Sequence, residues 1–428
     1  MSILRAFYVV TLVLAACLQT GAVAPPAPAP WAQLAELTAS DGTQGYGLGY
    51  STAISGNTVV TGSIGEPVVY VFVKPSSGWA TMTQSAELTA SDGTGFGAVA
   101  TNGDTIVARN SVDSAVYVFV KPANGWTNMT ETAILSSSDQ AADLGISVSI
   151  SGNTIVAGSG GAQNGNGAST AYVFVKPSSG WANMTETAEL TASDGGGPFS
   201  AVAVSGNTVV VGAFGAIVGG NYQQGAAYVY VKPTSGWAST TENAKLTASD
   251  GAANDELGTS VAINGGTVIA GAPLAKIGSH QFQGAAYVFV KPVTGWTSMN
   301  QTAKLTASDG RYKSELGASV SISGNTVVAG APDQHLGTNQ LQGAAYIYTM
   351  PTAGWANKTQ NVRLTASDGS GALATSVSIS GRTVAAGAPG VNIGNNKAQG
   401  AVYVFGTTQS KSAAGRPKSA TLARKSGS

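Results

Sequence analysis

Short runs of alternating apolar and polar residues recur along this chain, most clearly in the stretch from Ala303 to Thr349. This stretch contains AKLTAS, SVSIS, TVVAG and AAYIYT, four runs rich in Val, Ile, Tyr and Thr. Alternation with a period of two over such lengths predicts β-strands. Turn-forming sequences such as Asp309-Gly310 separate the runs, and no apolar stretch recurs at helical spacing. Each unit therefore predicts a four-stranded antiparallel meander.

The unit occurs seven times. The aspartate of its LTASDG sequence, or of a variant, falls at Asp41, Asp92, Asp139, Asp194, Asp250, Asp309 and Asp368, in steps of 47 to 59 residues. Such a period is typical of a propeller or a solenoid. The chain begins its repeats with a lone LTAS strand and ends them with three strands that lack a fourth. Joining the two ends predicts an all-β, seven-bladed propeller over residues 31–407, with SVSIS innermost and LTAS at the outer edge.

The first 24 residues predict a signal peptide, because Arg5 precedes an apolar core, Ala6 to Ala16, that is too short to span a bilayer. Two endings fit. Cleavage after Ala24 would release the mature chain, whereas the sequence around Cys17 resembles a lipobox, in which Cys17 would be lipidated and anchor the protein to a membrane. Residues 25–30 then form a Pro-rich spacer. Either ending predicts a secreted, extracellular or cell-envelope protein.

Charge is unevenly distributed, although the whole chain is neutral. Residues 408–428 contain five basic residues and no acidic one, and their composition predicts a disordered tail. The predicted propeller has 15 basic and 21 acidic residues, which argues against nucleic acid as its partner. Two histidines and one cysteine exclude a disulfide framework and a His/Cys zinc cluster. We expect a monomer.

The loop between the second and third strands differs most between units. It is short in blades 1 and 2 and long in blades 4 to 7. Variable loops on a rigid scaffold commonly carry binding residues. We therefore expect ligand contacts from Asn221, Tyr222, His280, Gln281, Phe282, His335, Asn339 and Gln340. A glutamine that precedes a glycine ends each long loop, and we interpret these residues as ties between loop and backbone: Gln224, Gln283, Gln342 and Gln399.

Every tryptophan of the chain belongs to the repeat: Trp31, Trp79, Trp126, Trp181, Trp237, Trp296 and Trp355. Such a ring of indoles would suit stacking against sugars. The alternative is that each indole packs a hairpin against the outer part of its blade, and sevenfold repetition favours packing.

The sequence ELGASVSISGNTVVAGAP resembles the FG-GAP repeat, the unit of the seven-bladed propeller of integrin α subunits. The FG position appears in such pairs as Phe96-Gly97 and Leu316-Gly317. The GAP position is intact in Gly271-Ala272-Pro273, Gly330-Ala331-Pro332 and Gly387-Ala388-Pro389, and it is lost near Arg109. The short turns are similar to those of the bacterial branch of the family. The resemblance implies a propeller that binds or adheres to other molecules.

One departure from the family concerns calcium. Many FG-GAP repeats carry an Asp-rich calcium loop between the first two strands, where this chain has only Ser-Gly-Asn, as in Ser55-Gly56-Asn57. Calcium requires six to eight oxygen ligands, several of them carboxylates. We therefore expect no calcium, and no other cofactor.

No catalytic arrangement of recognised spacing is present. Asp255, Glu256 and Glu315 precede innermost strands, where paired carboxylates could cleave glycosidic bonds. We expect a secreted or cell-surface module, structural or adhesive, that binds protein or polysaccharide without catalysis. The alternative is a carbohydrate-active hydrolase or lyase.

Overall fold

A computed structural model describes residues 30–63, 67–110, 114–141, 143–160, 170–199, 201–335, 342–369 and 371–407. The predicted signal peptide, Cys17, most of the spacer and the basic tail lie outside these residues. The described part of the chain contains 34 strands and no helix, and so no helix that is long and apolar enough to span a membrane. The strands form seven sheets, the blades of a β-propeller, which we number from the first complete set.

The innermost strands come from SVSIS and its variants: β2 (Ser51–Ser55), β7 (Phe96–Thr101), β12 (Val148–Ser151), β17 (Ala201–Ser205), β22 (Ser260–Asn264), β27 (Ser319–Ser323) and β32 (Ser376–Ser380). Their serines bond to the next blade. The Ile54 and Gly56 N–H groups donate to the hydroxyls of Ser378 and Ser380 at 3.1 and 3.0 Å. Serine therefore suits the innermost strands, because its small hydroxyl side chain can bridge the backbones of neighbouring blades around the axis.

The second strands are almost wholly buried: β3 (Thr58–Gly62), β8 (Thr105–Asn110), β13 (Thr154–Ser159), β18 (Thr208–Ala213), β23 (Thr267–Ala272), β28 (Thr326–Ala331) and β33 (Thr383–Ala388). The third strands are β4 (Val68–Val73), β9 (Val116–Val120), β14 (Thr170–Val175), β19 (Ala226–Val231), β24 (Ala285–Val290), β29 (Ala344–Thr349) and β34 (Ala401–Thr407). Both layers are covered on each face by adjacent blades, which explains their continuous apolar sequences.

The outer strands come from LTAS: β1 (Trp31–Thr38), β6 (Ala86–Thr89), β11 (Ala133–Ser136), β16 (Ala188–Thr191), β21 (Ala244–Thr247), β26 (Ala303–Thr306) and β31 (Val362–Leu364). The N-terminal strand β1 pairs antiparallel with β34, from Trp31 opposite Thr407 to Leu37 opposite Val402. This pairing completes blade 7 and closes the ring, as the sequence predicts.

Six blades have a fifth, two-residue strand that the sequence did not predict: β5 (Met82–Thr83), β10 (Met129–Thr130), β15 (Met184–Thr185), β20 (Thr240–Thr241), β25 (Met299–Asn300) and β30 (Lys358–Thr359). Each of these short strands is supplied by the next blade along the chain. It pairs in parallel with the outer strand of the preceding blade, as β5 of blade 1 does with β1 of blade 7. The outer edge is thus covered by a neighbour, which removes an exposed edge.

A side-chain clasp accompanies each of these six contacts, and a seventh clasp joins blades 6 and 7, where no fifth strand forms. The backbone N–H of the serine in each SDG turn donates to a Gln or Glu of the next blade: Ser40 to Gln84, Ser91 to Glu131, Ser138 to Glu186, Ser193 to Glu242, Ser249 to Gln301, Ser308 to Gln360 and Ser367 to Gln33. The seventh clasp joins the two ends of the repeat array and reinforces ring closure.

The aspartate of each SDG turn forms a second link between blades. It accepts a hydrogen bond from a tyrosine on the third strand of the next blade: Asp41 from Tyr70, Asp92 from Tyr117, Asp139 from Tyr172, Asp194 from Tyr228, Asp250 from Tyr287, Asp309 from Tyr346 and Asp368 from Tyr403. These tyrosines are buried, and a buried hydroxyl requires a partner. The sequence analysis identified the turns but missed this link.

The hydrophobic core lies between blades. One cluster, for example, joins Val229 of blade 4 to Val268, Tyr287 and Trp296 of blade 5. Trp181, Trp237, Trp296 and Trp355 are all buried, and Trp31, Trp79 and Trp126 are partly buried against the same kind of cluster. The packing interpretation of the tryptophan ring is therefore confirmed.

Candidate functional site: the long-loop face

The long loops and the SDG turns lie on one face of the ring, because both connections leave the same ends of the antiparallel strands. We call this side the long-loop face. Blades 4, 5 and 7 build their loops in the same way, with a small hairpin in which Val218 bridges Asn221, Ile277 bridges His280 and Ile393 bridges Asn396. The recurrence indicates that the backbone of these loops is determined by the repeat.

Each long loop then runs alongside the next blade. Between blades 4 and 5, the N–H groups of Glu256 and Leu257, which lead into blade 5, donate to the carbonyls of Gln223 and Gln224 in the blade 4 loop at 3.1 and 3.0 Å. Equivalent bonds join blade 5 to blade 6 and blade 7 to blade 1. The loops are therefore held between two blades, which fixes the side chains that they present.

The glutamines at the loop ends tie the loops down. Gln224, Gln283 and Gln399 are buried, and their amide groups donate to the carbonyls of Ala248, Ala307 and Ala39 at 3.1 to 3.3 Å. The amide also covers the SDG glycine, since a Cβ on Gly251 would lie 2.3 Å from Nε2 of Gln224. The structural interpretation of these three glutamines is confirmed.

The predicted ligand residues separate into two groups. Asn221 lies within its loop and donates to Oε1 of Gln224 at 2.9 Å, so it shapes the loop. Tyr222, in contrast, is 60% exposed. His280 and Gln281 are exposed on blade 5, and Phe282 and His335 are half-buried. Asn339 and Gln340 lie outside the described residues. A ligand role for all of these residues stays a prediction.

An aromatic pair links blades 5 and 6 on this face. The rings of Phe282 and Tyr312 lie 5.9 Å apart at 46°, and Nζ of Lys313 lies 5.5 Å from the centre of the Tyr312 ring. Tyr312 is 55% exposed. Sequence reasoning missed Tyr312 because it belongs to the SDG connection and not to the long loop. Its placement follows from the parallel run of the two segments, where the Lys313 N–H donates to the Gln281 carbonyl.

The three carboxylates that the sequence singles out for catalysis lie in the SDG connections, on the long-loop face. Asp255 is buried and accepts a hydrogen bond from the Ala252 N–H at 2.8 Å, so it caps its own loop; burial raises its pKa. Glu256 and Glu315 are half-buried at equivalent positions just before innermost strands. Burial raises the pKa of both, and the charges of Asp333 and Glu256 raise that of Glu315 further. Sequence reasoning did not identify Asp333.

The Ser-Gly-Asn turns do not fit calcium. They contain no carboxylate, and the Gly56 N–H of the first one donates to the Ser380 hydroxyl of the neighbouring blade. No group of three or more His, Cys, Asp or Glu residues in the described part of the chain has a geometry that could hold a metal ion. The expectation that the protein needs no calcium stays a prediction.

Seven blades that are joined by interblade clasps and carry their long loops on one face define a repeat propeller. The FG-GAP repeat family matches residues 31–72, 184–230, 240–289, 299–348 and 358–405, more than half of the chain. The chain therefore belongs to the FG-GAP repeat family. Residues 73–183 lie outside these matches and include blade 2, which has lost the GAP sequence.

One solved structure supports the fold. The chain resembles the WD40 β-propeller domain of Doa1, with 11% identity and a TM-score of 0.52 over 89% of this chain and 98% of that domain. It also resembles the computationally designed Ika8 protein, with 18% identity and a TM-score of 0.48 over 87% of this chain and 99% of the other. At such identities the Doa1 domain shows the fold alone. No curated protein sequence matches this chain.

Proposed function

We propose that this propeller is a non-catalytic module, adhesive or structural, that binds a protein or a polysaccharide outside the cytoplasm. The family and fold support a binding or structural module in general. The ligand class and the location are inferences from the long-loop face and from the apolar leader.

The observation that carries the proposal is the exposure of Tyr222 and Tyr312 on backbone that is fixed by neighbouring blades. Exposed, preorganised tyrosines bury large area at little entropic cost and retain a hydroxyl for hydrogen bonding. Phe282 supports the Tyr312 ring from beside, and Lys313 adds a positive charge. Such a surface is suited to stacking on sugars or to anchoring a protein partner.

The test is retention of the purified protein on immobilised polysaccharides and matrix proteins, with released products recorded at the same time. We expect retention without products, and we expect a Tyr222→Ser/Tyr312→Ser double variant to lose it. Val293→Ser is the matched control, because Val293 is fully exposed on the opposite side of the ring. Retention that is equal in both variants would contradict a role for the long-loop face.

A second candidate is a carbohydrate-active hydrolase or lyase. It is favoured by Glu256 and Glu315, whose raised pKa values suit a proton donor beside an ionised carboxylate. Oligosaccharide release that is abolished by Glu315→Gln would establish the enzyme and overturn the non-catalytic proposal.

The location outside the cytoplasm has its own test. Cells that express the full chain and cells that express it without residues 1–24 are fractionated and compared. The full chain should appear in the envelope or medium, and the shortened chain should appear in the cytoplasm. A Cys17→Ser variant that passes from the membrane fraction to the medium would identify lipidation, and an unchanged distribution would favour cleavage after Ala24.

A further inference from the structure

Blade 2 departs from the other blades at the end of its second strand. Six blades have glycine there: Gly62, Gly158, Gly212, Gly271, Gly330 and Gly387; blade 2 has Arg109. In blades 4 to 7 the glycine touches the next blade closely, and a Cβ on Gly271 would lie only 1.9 Å from the Gly317 carbonyl oxygen. Arg109 therefore requires a more open junction between blades 2 and 3.

The opening is part of a cavity of about 360 Å³ at the mouth of the central channel, on the long-loop face. Four blades line it at the start of their innermost strands, with Tyr50, Ser51, Ile146, Ser147 and Thr375 among the lining residues. Among the described residues that line the cavity, Arg109 is the one that carries a charge, and it forms an ion pair with Asp143, which is not part of the lining. The volume lies within the range of small-molecule sites.

The cavity is rich in hydrogen-bond donors. Nη2 of Arg109 donates to Asp143 at 2.9 Å, while its Nε is buried without a hydrogen-bond partner. The hydroxyls of Ser51 and Ser147 accept bonds from the Val99 and Val202 N–H groups, both at 3.0 Å, so each keeps a proton to donate.

These features distinguish between ligand classes. The ion pair with Asp143 uses one hydrogen of Nη2, so Nη1 and the other hydrogen of Nη2 are left to bind a planar carboxylate with two parallel hydrogen bonds. Tyr50 is 52% exposed at the rim and offers a ring face to an attached sugar. Asp143 is exposed and can accept bonds from sugar hydroxyls. Guanidinium, carboxylate and aromatic ring together fit an acidic sugar better than a bare anion.

We propose that the channel mouth binds a uronic acid residue, with Arg109 on its carboxylate, Asp143 on its hydroxyls and Tyr50 against its ring. This site lies on blades 7, 1, 2 and 3. It does not depend on the exposed tyrosines of blades 4 to 6, and the panel experiment above can fail without affecting it.

The test is a calorimetric or NMR titration of the purified full chain with glucuronate, glucose and acetate. Glucuronate should bind more tightly than either control ligand. Arg109→Gln should weaken glucuronate binding by about tenfold or more, because the charge-assisted bonds are lost. Arg311→Gln, which removes an exposed cation elsewhere, should leave the affinity unchanged. Should Arg109→Gln not fold, Arg109→Gly carries the residue of the other six blades and replaces it.

Three results would overturn the proposal. Equal binding of glucose and glucuronate would exclude the role of the carboxylate, and equal binding of acetate and glucuronate would exclude the role of the sugar. Unchanged glucuronate affinity in the Arg109 variants would show that Arg109 only fills the opening between blades 2 and 3.

Discussion

The junction between blades 2 and 3 and the junction between blades 5 and 6 use the same repeat positions with opposite chemistry. Between blades 5 and 6, Gly271 packs against the Gly317 backbone and Arg363 forms an ion pair with Asp309 at 2.5 Å. Between blades 2 and 3, Arg109 replaces the glycine, and Glu189 stands near Asp139 where the other junction has Arg363.

What remains constant is equally informative. Both junctions keep the tyrosine–aspartate bond, from Tyr346 to Asp309 and from Tyr172 to Asp139, and both keep the serine clasp. The comparison teaches that buried links between blades hold the ring together, while the rim and channel mouth can change.

The largest effect is expected from a methyl group at the tight junction. Gly271→Ala should destabilise the protein by about 3 kcal/mol or more, because the neighbouring backbone cannot move away from the new Cβ. Arg109→Gly is the matched change at the open junction and should cost about 1 kcal/mol or less. Urea unfolding measures both. A smaller loss for Gly271→Ala than for Arg109→Gly would contradict the assignment of tight and open junctions.

Removal of the tyrosine hydroxyl should have the next largest effect. Tyr172→Phe should cost about 1–2 kcal/mol, because Asp139 loses a buried donor and no cation forms an ion pair with it among the described residues. Tyr346→Phe should cost less, since Arg363 still pairs with Asp309. A double variant Tyr346→Phe/Arg363→Gln tests the reason: its loss should exceed the sum of the single losses.

The charges at the rim should produce smaller effects of opposite sign. Arg363→Gln should destabilise by about 0.5–1 kcal/mol, whereas Glu189→Gln should be neutral or slightly stabilising. Burial, together with the charges of Asp139 and Glu186, raises the pKa of Glu189, so its ionised form is unfavourable in the folded chain. Thermal unfolding at low salt compares the two variants. Equal destabilisation by both would refute a repulsive role for Glu189.

Acid should reveal the same contrast. Burial raises the pKa of Asp250, but hydrogen bonding and the charge of Lys304 outweigh burial, so the pKa in the folded chain is lowered overall. The contribution of Asp250 to stability is therefore complete above its unfolded pKa, about 3.9, and is lost as the pH falls below that value through the folded pKa. Glu36 behaves oppositely. Burial and Asp368 raise its pKa, so the folded chain takes up a proton first and gains stability as pH falls towards the unfolded value, about 4.3.

A Glu36→Gln/Glu189→Gln double variant measures this contribution. It should be more stable than the parent chain at pH 7, and the difference should shrink by pH 4.5. Free energies of unfolding from urea titrations at the two pH values give the comparison. A difference that grows on acidification would have the wrong sign.

The sequence was sufficient for the architecture because spacing alone determines it. Seven LTASDG copies predicted the blades and the strand order. The strands of the last blade are divided between the two ends of the repeat array, and this division predicted the closing pair of β1 with β34. The fifth strands could not be predicted, since Met82-Thr83 and its equivalents are too short to show a period. The tyrosine–aspartate links join different repeats, and a pattern within one repeat does not reveal them.

The candidate site was predicted less completely for a related reason. Loop length identified the loops that differ between blades, and the strand order predicted that they share one face, but neither showed which side chains are exposed there. Asn221 is turned into its own loop, and Tyr312 comes from the neighbouring connection. Arg109 stood out only as a lost motif, and its place at the channel mouth became evident from the ring geometry.

The most direct test of the central claim is ligand retention by the parent chain and the Tyr222→Ser/Tyr312→Ser variant, with urea unfolding as a check that both are folded. The account predicts that the parent is retained by at least one polysaccharide or matrix protein, that no product is released, and that the variant is retained at least about tenfold less. Equal retention of both proteins, or release of oligosaccharides, would contradict it.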